Sequence, residues 1–252
     1  MKVTKKNIEF YSDNLLIKGV LHLPALQKKA GRNLPIVIGS HGLEGSKDSA
    51  KQVILSKLLP QNNIGFLRFD HRGCGESEGD FLKDTSVPKR AYDFINAIKF
   101  IMENEGVNRK IGIFGSSLGG STCIEAWDTL IQMDIEISGC VLTATPIKSR
   151  TIENIPAKGQ PGGNQSNLSM DFFLKHLNFD LSEKLKKISN ILIFHGKNDE
   201  IVPIENARTI YENTKDPKKL IVFENGDHQT SSKKDQKVFE KETLKWFKQA
   251  LF

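Results

Sequence analysis

The sequence predicts a single α/β domain in which helices cover both faces of a mostly parallel sheet. The chain has 252 residues, of which 38% are hydrophobic and 26% are charged. These values are typical of one soluble globular domain. Short apolar runs with the length of buried strands recur along the chain, and segments with helical spacing separate them. This alternation is typical of a parallel sheet with helices on both sides.

The strands can be predicted in order from the apolar runs. Apolar and polar residues alternate from Ile8 to Leu23 on either side of Asp13-Asn14, which predicts a β-hairpin. The buried strands that we expect to follow are 35–40, 65–69, 111–114, 140–143, 191–194 and 220–223. Helical spacing of apolar residues predicts helices over 53–59, 91–102 and 238–251.

One segment, residues 146–178, interrupts the alternation of strands and helices. It contains a run rich in glycine, proline and asparagine at 159–167, followed by a short amphipathic stretch at 170–177. A loop of this length inside a domain is usually functional or mobile. Because the sequence has no internal repeat, heptad pattern or linker, we expect one domain over residues 1–252.

Composition and charge argue against several classes of protein. The net charge of +6 is spread along the chain, lysine dominates over arginine, and few aromatic residues lie among the basic ones. A nucleic-acid interface usually has a denser basic stripe, so neither that nor a membrane-surface protein is expected. No apolar stretch is long enough to span a bilayer, and the N-terminus does not resemble a secretion signal. Three cysteines without a CxxC pair favour reduced thiols and a cytoplasmic location.

The candidate nucleophile follows the strand predicted at 111–114. The sequence there is Gly115-Ser-Ser-Leu-Gly119, a G-x-S-x-G motif between a strand and an apparent helix. In such a turn small residues avoid clashes, and the central serine, Ser117, is lifted above the sheet. A simple glycine- and serine-rich turn is the alternative interpretation, because the motif alone also occurs by chance.

A serine nucleophile needs a base, and the base needs a group that orients it. Asp199 follows the strand predicted at 191–194, and His228 follows the strand predicted at 220–223. Active sites of parallel sheets form at the carboxyl ends of strands, so these two residues are predicted to meet Ser117. The other histidines fit less well, since none lies after the acid, and Asp227 would point away from its neighbour His228.

Acyl transfer also needs hydrogen-bond donors for the developing oxyanion. One candidate is the Leu118 amide, directly after the nucleophile. The strand predicted at 35–40 ends in His41-Gly-Leu-Glu-Gly45, and the Leu43 amide is the second candidate. We expect His41 to brace this loop without transferring protons.

The segment 69–77 is also punctuated by glycines. There we expect Asp70 and Arg72 to fix a turn near the site, and Cys74 to be a packed residue.

Together these motifs resemble the α/β-hydrolase superfamily over nearly the whole chain. They are His41-Gly42, Asp70-His-Arg-Gly-Cys-Gly-Glu-Ser77, Gly115-Ser-Ser-Leu-Gly119, Asp199 and His228. The opening hairpin, with Gly19-Val-Leu-His-Leu-Pro24, is most similar to small carboxylesterases related to cinnamoyl and feruloyl esterases. The resemblance implies an α/β-hydrolase fold with a small cap or lid after the sixth core strand, where residues 146–178 lie. The segment has few aromatic residues, which argues against an aromatic-acid substrate.

The sequence therefore predicts a serine esterase with a Ser117-His228-Asp199 triad and an acyl-enzyme intermediate. A thioesterase, amidase, peptidase or acyltransferase would use the same triad, and the fold cannot separate these activities. A binding protein without catalysis is a further alternative, against which the intact triad argues. We expect a small-molecule ester substrate and neither a cofactor nor a metal, and the oligomeric state, a homodimer included, stays open.

Overall fold

The computed structural model describes residues 3–25, 34–105, 107, 110–149 and 168–252. The strands are β1 (Thr4–Ser12), β2 (Leu15–Leu23), β3 (Ile36–Ser40), β4 (Gly65–Phe69), β5 (Lys110–Ser116), β6 (Glu136–Thr143), β7 (Ile191–Gly196) and β8 (Lys218–Phe223). The helices are α1 (Ala50–Leu58), α2 (Phe81–Asp84), α3 (Val87–Glu105), α4 (Leu118–Gln132), α5 (Met170–His176), α6 (Glu205–Asn213) and α7 (Lys233–Leu251). Two 3₁₀ helices, Pro60–Asn62 and Ser182–Lys187, complete the described elements.

The strands form one sheet in the order β1-β2-β4-β3-β5-β6-β7-β8. β1 and β2 pair antiparallel around Asp13 and Asn14, whose φ angles of 49° and 64° make the tight turn of the hairpin. β2 also pairs antiparallel with β4, and every pairing from β4 through β8 is parallel. The predicted fold class, α/β with a mostly parallel sheet, is confirmed.

Alternate residues of the central strands bury opposite faces of the sheet. On β3, Ile36 and Ile38 belong to the core that also contains apolar residues of α3, α4 and α6. Val37 belongs to the second core, which lies against α1 and α7. Both faces are therefore dry, and this explains why the strands appear in the sequence as continuous apolar runs rather than as alternating ones.

The helices predicted at 53–59, 91–102 and 238–251 correspond to α1, α3 and α7, and the apparent helix after the G-x-S-x-G motif is α4. The sequence patterns predict neither α2, which has only four residues, nor α6. The nine residues of α6 are mostly polar, and only Asn206, Ala207 and Ile210 are buried. Of the predicted cap, residues 150–167 lie outside the described residues. The part from residue 168 onward contains α5, which begins after Ser169; its side chain accepts a hydrogen bond from the Phe172 amide.

Two further observations bear on the expectations from composition. No helix in the described ranges combines the length and apolar character needed to cross a bilayer. Cys74, Cys123 and Cys140 are all buried and unpaired.

The strand order changes direction at β3. The connection from β3 leads to β4 on one side, whereas the connection from β4 crosses to β5 on the other side. Such a reversal leaves a crevice at the carboxyl ends of the two strands. Because Ser40 of β3 pairs with Gly115 of β5, the loops that follow these strands lie side by side.

Candidate active site

Ser117 lies in the sharp turn between β5 and α4. Its φ and ψ angles of 53° and −127° are strained for a residue with a side chain. The Ser117 amide donates to the Thr143 carbonyl oxygen at 2.8 Å, and the Ser117 carbonyl accepts from the Gly120 amide at 2.8 Å. These bonds fix the strained turn. Ser116 is directed elsewhere, because its Oγ accepts a hydrogen bond from Thr143 Oγ1 at 3.0 Å.

The glycines of the motif are required by close packing. A Cβ atom at Gly119 would lie 2.2 Å from the Ser40 carbonyl oxygen, and one at Gly115 would lie 2.5 Å from the Gly120 Cα. Both neighbours are backbone atoms, which cannot move aside cheaply. The turn is as tight as the sequence predicts, and it also packs directly against the end of β3.

His228 lies between Ser117 and Asp199. Its Nε2 is 3.1 Å from Ser117 Oγ, and its Nδ1 is 2.9 Å from Asp199 Oδ2. A carboxylate only accepts hydrogen bonds, so Nδ1 carries the proton and Nε2 is left to accept the serine hydroxyl proton. The structure thus brings together the three residues that the sequence singles out, each from the loop after a different strand.

The carboxylate of Asp199 accepts several hydrogen bonds. Its Oδ1 accepts hydrogen bonds from the amides of Ile201 and Val202 at 2.9 and 2.8 Å. Buried His195 places its Nε2 3.3 Å from Asp199 Oδ2 and donates to the Val202 carbonyl at 2.7 Å. Burial alone would raise the pKa of Asp199, but hydrogen bonds from His195 and His228 outweigh burial and lower that pKa. The carboxyl is therefore ionised at neutral pH.

The loop after β3 lies against the nucleophile. A Cβ atom at Gly42 would lie 3.2 Å from Ser117 Cβ. The Gly42 carbonyl accepts hydrogen bonds from His41 Nδ1 at 2.8 Å and from Arg90 Nη2 at 3.3 Å. In a trans peptide the N–H points opposite to the carbonyl. The Leu43 N–H therefore points away from His41 Nδ1 and Arg90 Nη2. Ser117 lies beside the same peptide.

His41 is a neutral donor in this loop. The His71 amide donates to His41 Nε2 at 3.1 Å, so the ring proton lies on Nδ1. Burial lowers the pKa of His41 and the Arg90 charge lowers it further, so the ring stays uncharged. Arg90, from α3, is itself only 1% exposed, and its Nη2 also donates to the His41 carbonyl. These contacts agree with a bracing function for His41.

The glycine-punctuated segment 69–77 supports the same loops. Asp70 accepts hydrogen bonds from the Lys47 amide at 2.6 Å and from the Glu76 amide at 3.0 Å. Its carboxylate fills the space that a Cβ atom at Gly75 would need, at 2.3 Å. Arg72 pairs with Asp93 of α3, with Nη2 2.6 Å from Oδ1. As the sequence indicates, these residues fix the backbone next to the site.

A cavity of about 590 Å³ opens beside Ser117 and His228. This volume is typical of a small-molecule site. The cavity is lined by Phe173 in α5, by Leu177 directly after α5, and by the loop that contains Leu43. Lys51 of α1 lines it as well. Sequence reasoning missed Arg90 and Lys51, since a basic residue within an amphipathic helix is normally assigned to the solvent face.

Comparison with known proteins agrees with the fold. A family model described as serine aminopeptidase, S33, matches residues 31–161, just over half of the chain. The uncharacterized protein YfhR of Escherichia coli K12 is 28% identical over 215 residues, which are 82% of this chain and 67% of YfhR.

Solved structures of the same fold include two relevant neighbours. Est1E of Butyrivibrio proteoclasticus, in a structure with ferulic acid bound, has a TM-score of 0.77 at 20% identity, over 97% of this chain and 99% of its own. The Pyrococcus furiosus esterase Pf2001 has a TM-score of 0.77 at 19% identity, over 99% and 93% of the two chains. They show the α/β-hydrolase fold that the sequence predicts, and the family model that matches just over half of the chain shows the family. The chain belongs to the serine aminopeptidase (S33) family of α/β-hydrolases.

Proposed function

We propose that this hydrolase cleaves carboxylic esters through an acyl-enzyme intermediate on Ser117. The observation that carries the proposal is a chain of two hydrogen bonds from Ser117 through His228 to Asp199. Ser117 Oγ is 3.1 Å from His228 Nε2, and His228 Nδ1 is 2.9 Å from Asp199 Oδ2. These are the distances at which a base removes a proton from a hydroxyl. The esterase Pf2001, which shares the fold, supports an ester as the substrate.

The proposed reaction has two halves. Ser117 Oγ attacks the ester carbonyl while His228 Nε2 takes its proton, and ionised Asp199 stabilises the imidazolium that forms. The amides of Leu43 and Leu118 donate to the oxyanion of the tetrahedral intermediate. His228 then protonates the leaving alcohol. In the second half, His228 takes a proton from a water molecule that attacks the acyl-enzyme, and it returns this proton to Ser117 Oγ as the acyl–oxygen bond breaks and the acid is released.

The chain is proposed to be a single domain, 1–252, in which residues 146–178 form a small cap. Phe173 and Leu177 line the cavity, and this supports a function of the cap in binding the apolar part of the substrate. The cytoplasmic location inferred from the unpaired cysteines stays a prediction.

The proposal is tested by hydrolysis of p-nitrophenyl esters from acetate to laurate, methyl ferulate and an aminoacyl p-nitroanilide. Ser117→Ala should lose activity on esters by roughly a million-fold, as expected when the nucleophile of a triad is removed. Ser116→Ala is the matched comparison and should lose about ten-fold or less, because Ser116 Oγ bonds to Thr143 rather than to His228. If the wild-type protein cleaved the anilide but none of the esters, the esterase proposal would be wrong and an amidase activity would be indicated.

A further inference from the structure

The catalytic cavity contains a lysine that the proposed acyl transfer does not use. Lys51 lies in the first turn of α1 and lines the cavity together with Ser117 and His228. A cation is unfavourable at the N-terminus of a helix, where the helix dipole is positive. The first turn of α1 contains no acidic residue to compensate for it. A local preference that is overridden beside a catalytic site indicates a functional residue.

The charge of Lys51 has no ion-pair partner among the described residues. Its Nζ donates to the Gln229 carbonyl oxygen at 2.9 Å, which is a neutral acceptor. An ammonium group has three donors, so two remain for other acceptors. The cavity next to it is the space from which such an acceptor would come.

The two acidic groups whose charges act on Lys51, Asp199 and Asp227, are engaged with other donors. Asp199 accepts hydrogen bonds from His228 and from the amides of Ile201 and Val202. Asp227 accepts from the Ser231 amide at 2.8 Å. Burial lowers the pKa of Lys51 to about 8, and the charges of Asp227 and Asp199 oppose that shift. Most of the Lys51 side chains are therefore charged at neutral pH.

The residues that line the cavity include an apolar group and a polar group. Leu43, Leu118, Phe173 and Leu177 all belong to one apolar cluster. Lys51 and Gln229, which contact each other, supply polar groups from α1 and from the loop of His228. Glu44 is the carboxylate among the described lining residues, and it is exposed, so water screens its charge. The cavity therefore suits a substrate with an apolar part and an anionic group.

We propose that Lys51 is an anion-binding subsite of the catalytic cavity, which favours esters that carry a carboxylate. This inference rests on the proposed esterase activity. The carboxylate could belong to the acyl group or to the leaving alcohol, and the two are separated by matched substrates. Monomethyl adipate is compared with methyl hexanoate for the acyl side, and 4-acetoxybenzoate with p-tolyl acetate for the alcohol side.

The quantity measured is the ratio of kcat/KM for the anionic ester to that for its neutral counterpart. In one of the two pairs, Lys51→Gln should reduce this ratio on the order of ten- to a hundred-fold, the value of one charge-assisted hydrogen bond. Lys51→Arg, which keeps the charge, should retain most of the ratio. Lys57→Gln is the matched control, because Lys57 is exposed on the same helix and does not line the cavity.

Two results would overturn the subsite. One is a wild-type enzyme that does not favour the anionic member of either pair over its neutral counterpart. The other is a Lys51→Gln variant that slows the anionic and neutral esters equally, which would mean that Lys51 only tethers the His228 loop through Gln229.

If wild type hydrolyses no ester, the proposed function fails, but the subsite can still be tested by calorimetry. Tighter binding of monomethyl adipate or 4-acetoxybenzoate than of its neutral counterpart to Ser117→Ala, lost in the double variant with Lys51→Gln, would support the subsite. Equal binding within both pairs would reject it.

Discussion

At the scale of single residues, Arg90 carries a charge into the protein interior next to the proposed oxyanion donors. Its Nε and Nη1 form no hydrogen bond with the described residues, whereas Nη2 donates to the carbonyls of His41 and Gly42. Burying a guanidinium without full compensation is costly. The contacts that it does make fix the orientation of the Gly42–Leu43 peptide. Arg90 is therefore best explained as a positioning residue for the Leu43 amide.

This explanation predicts the effect of Arg90→Met. Loss of an oxyanion donor costs about a hundred- to a thousand-fold in kcat, and a donor that is only misoriented should cost less. We expect kcat for ester hydrolysis to fall about ten- to a hundred-fold with little change in KM, because binding of the ground state does not need the oxyanion donors. Arg90→Lys should restore part of kcat.

The control for Arg90 is Arg208→Met, on the exposed surface of α6, where Arg208 pairs with Glu205. Thermal unfolding of each variant separates a loss of fold from a loss of catalysis. A folded Arg90→Met variant in which KM rises and kcat stays constant would argue against the positioning function.

At the scale of elements, α5 contributes one face to the cavity and another to solvent. Phe173 lines the cavity, whereas Leu174, the next residue, is 68% exposed. Phe172 stacks on Phe81 of α2 with ring centroids 5.7 Å apart, and this contact attaches α5 to the body of the domain. The orientation of the helix therefore selects which of its apolar side chains can meet a substrate.

Phe173→Ala should weaken binding of long acyl chains more than that of short ones. Removing an aromatic wall loses apolar contact worth on the order of 1–2 kcal/mol, or about ten-fold in KM, for an acyl chain that reaches it. The measurement is KM for p-nitrophenyl acetate and laurate. Leu174→Ala on the same helix is the control and should leave both KM values within about two-fold of wild type. If Phe173→Ala changed KM for laurate no more than Leu174→Ala does, Phe173 would not contact the acyl chain.

At the scale of the whole molecule, one buried ionic cluster connects segments that are distant in the sequence. Asp93 of α3 accepts hydrogen bonds from Ser12 of β1 at 2.7 Å and from Arg72, after β4, at 2.6 Å. Burial alone would raise the pKa of Asp93, but hydrogen bonds from His71 and Arg72 lower it to about 2. The charged carboxylate therefore stabilises the folded state over the ordinary pH range.

Asp93→Asn should lower the free energy of unfolding at pH 7 by about 3 kcal/mol, because it removes the buried partner of the Arg72 charge. Arg72 would then be paired only with Asp13, whose side chain is 52% exposed. The folded-state pKa of Asp93 lies below its ordinary value of 3.8. Its contribution is thus present above about pH 4 and is lost as the pH falls towards 2. Urea unfolding between pH 7 and pH 2 should show the difference from wild type shrinking over that window.

Asp171→Asn is the control for Asp93, since Asp171 is 67% exposed in a surface pair with Lys175. An exposed pair of this kind contributes about 1 kcal/mol or less. A loss of stability in Asp93→Asn no larger than that of the control would show that the cluster does not stabilise the fold.

The sequence predicts the sheet well because both faces of its central strands are buried, so each strand is a continuous apolar run. It also places Ser117, Asp199 and His228 after the correct strands, because these residues follow the runs directly. Arg90 and Lys51 could not be found in this way, since their importance depends on which loops pack against α3 and α1. Those contacts are long-range and leave no local pattern in the sequence.

The central claim, that His228 activates Ser117 as a nucleophile, is tested most directly by covalent labelling. A fluorophosphonate should form one adduct per chain, which peptide mass spectrometry should locate on Ser117. Labelling should disappear in Ser117→Ala and become at least about a hundred-fold slower in His228→Gln, because the serine then lacks its base. An adduct on another residue, or equal labelling of Ser117→Ala, would contradict the account.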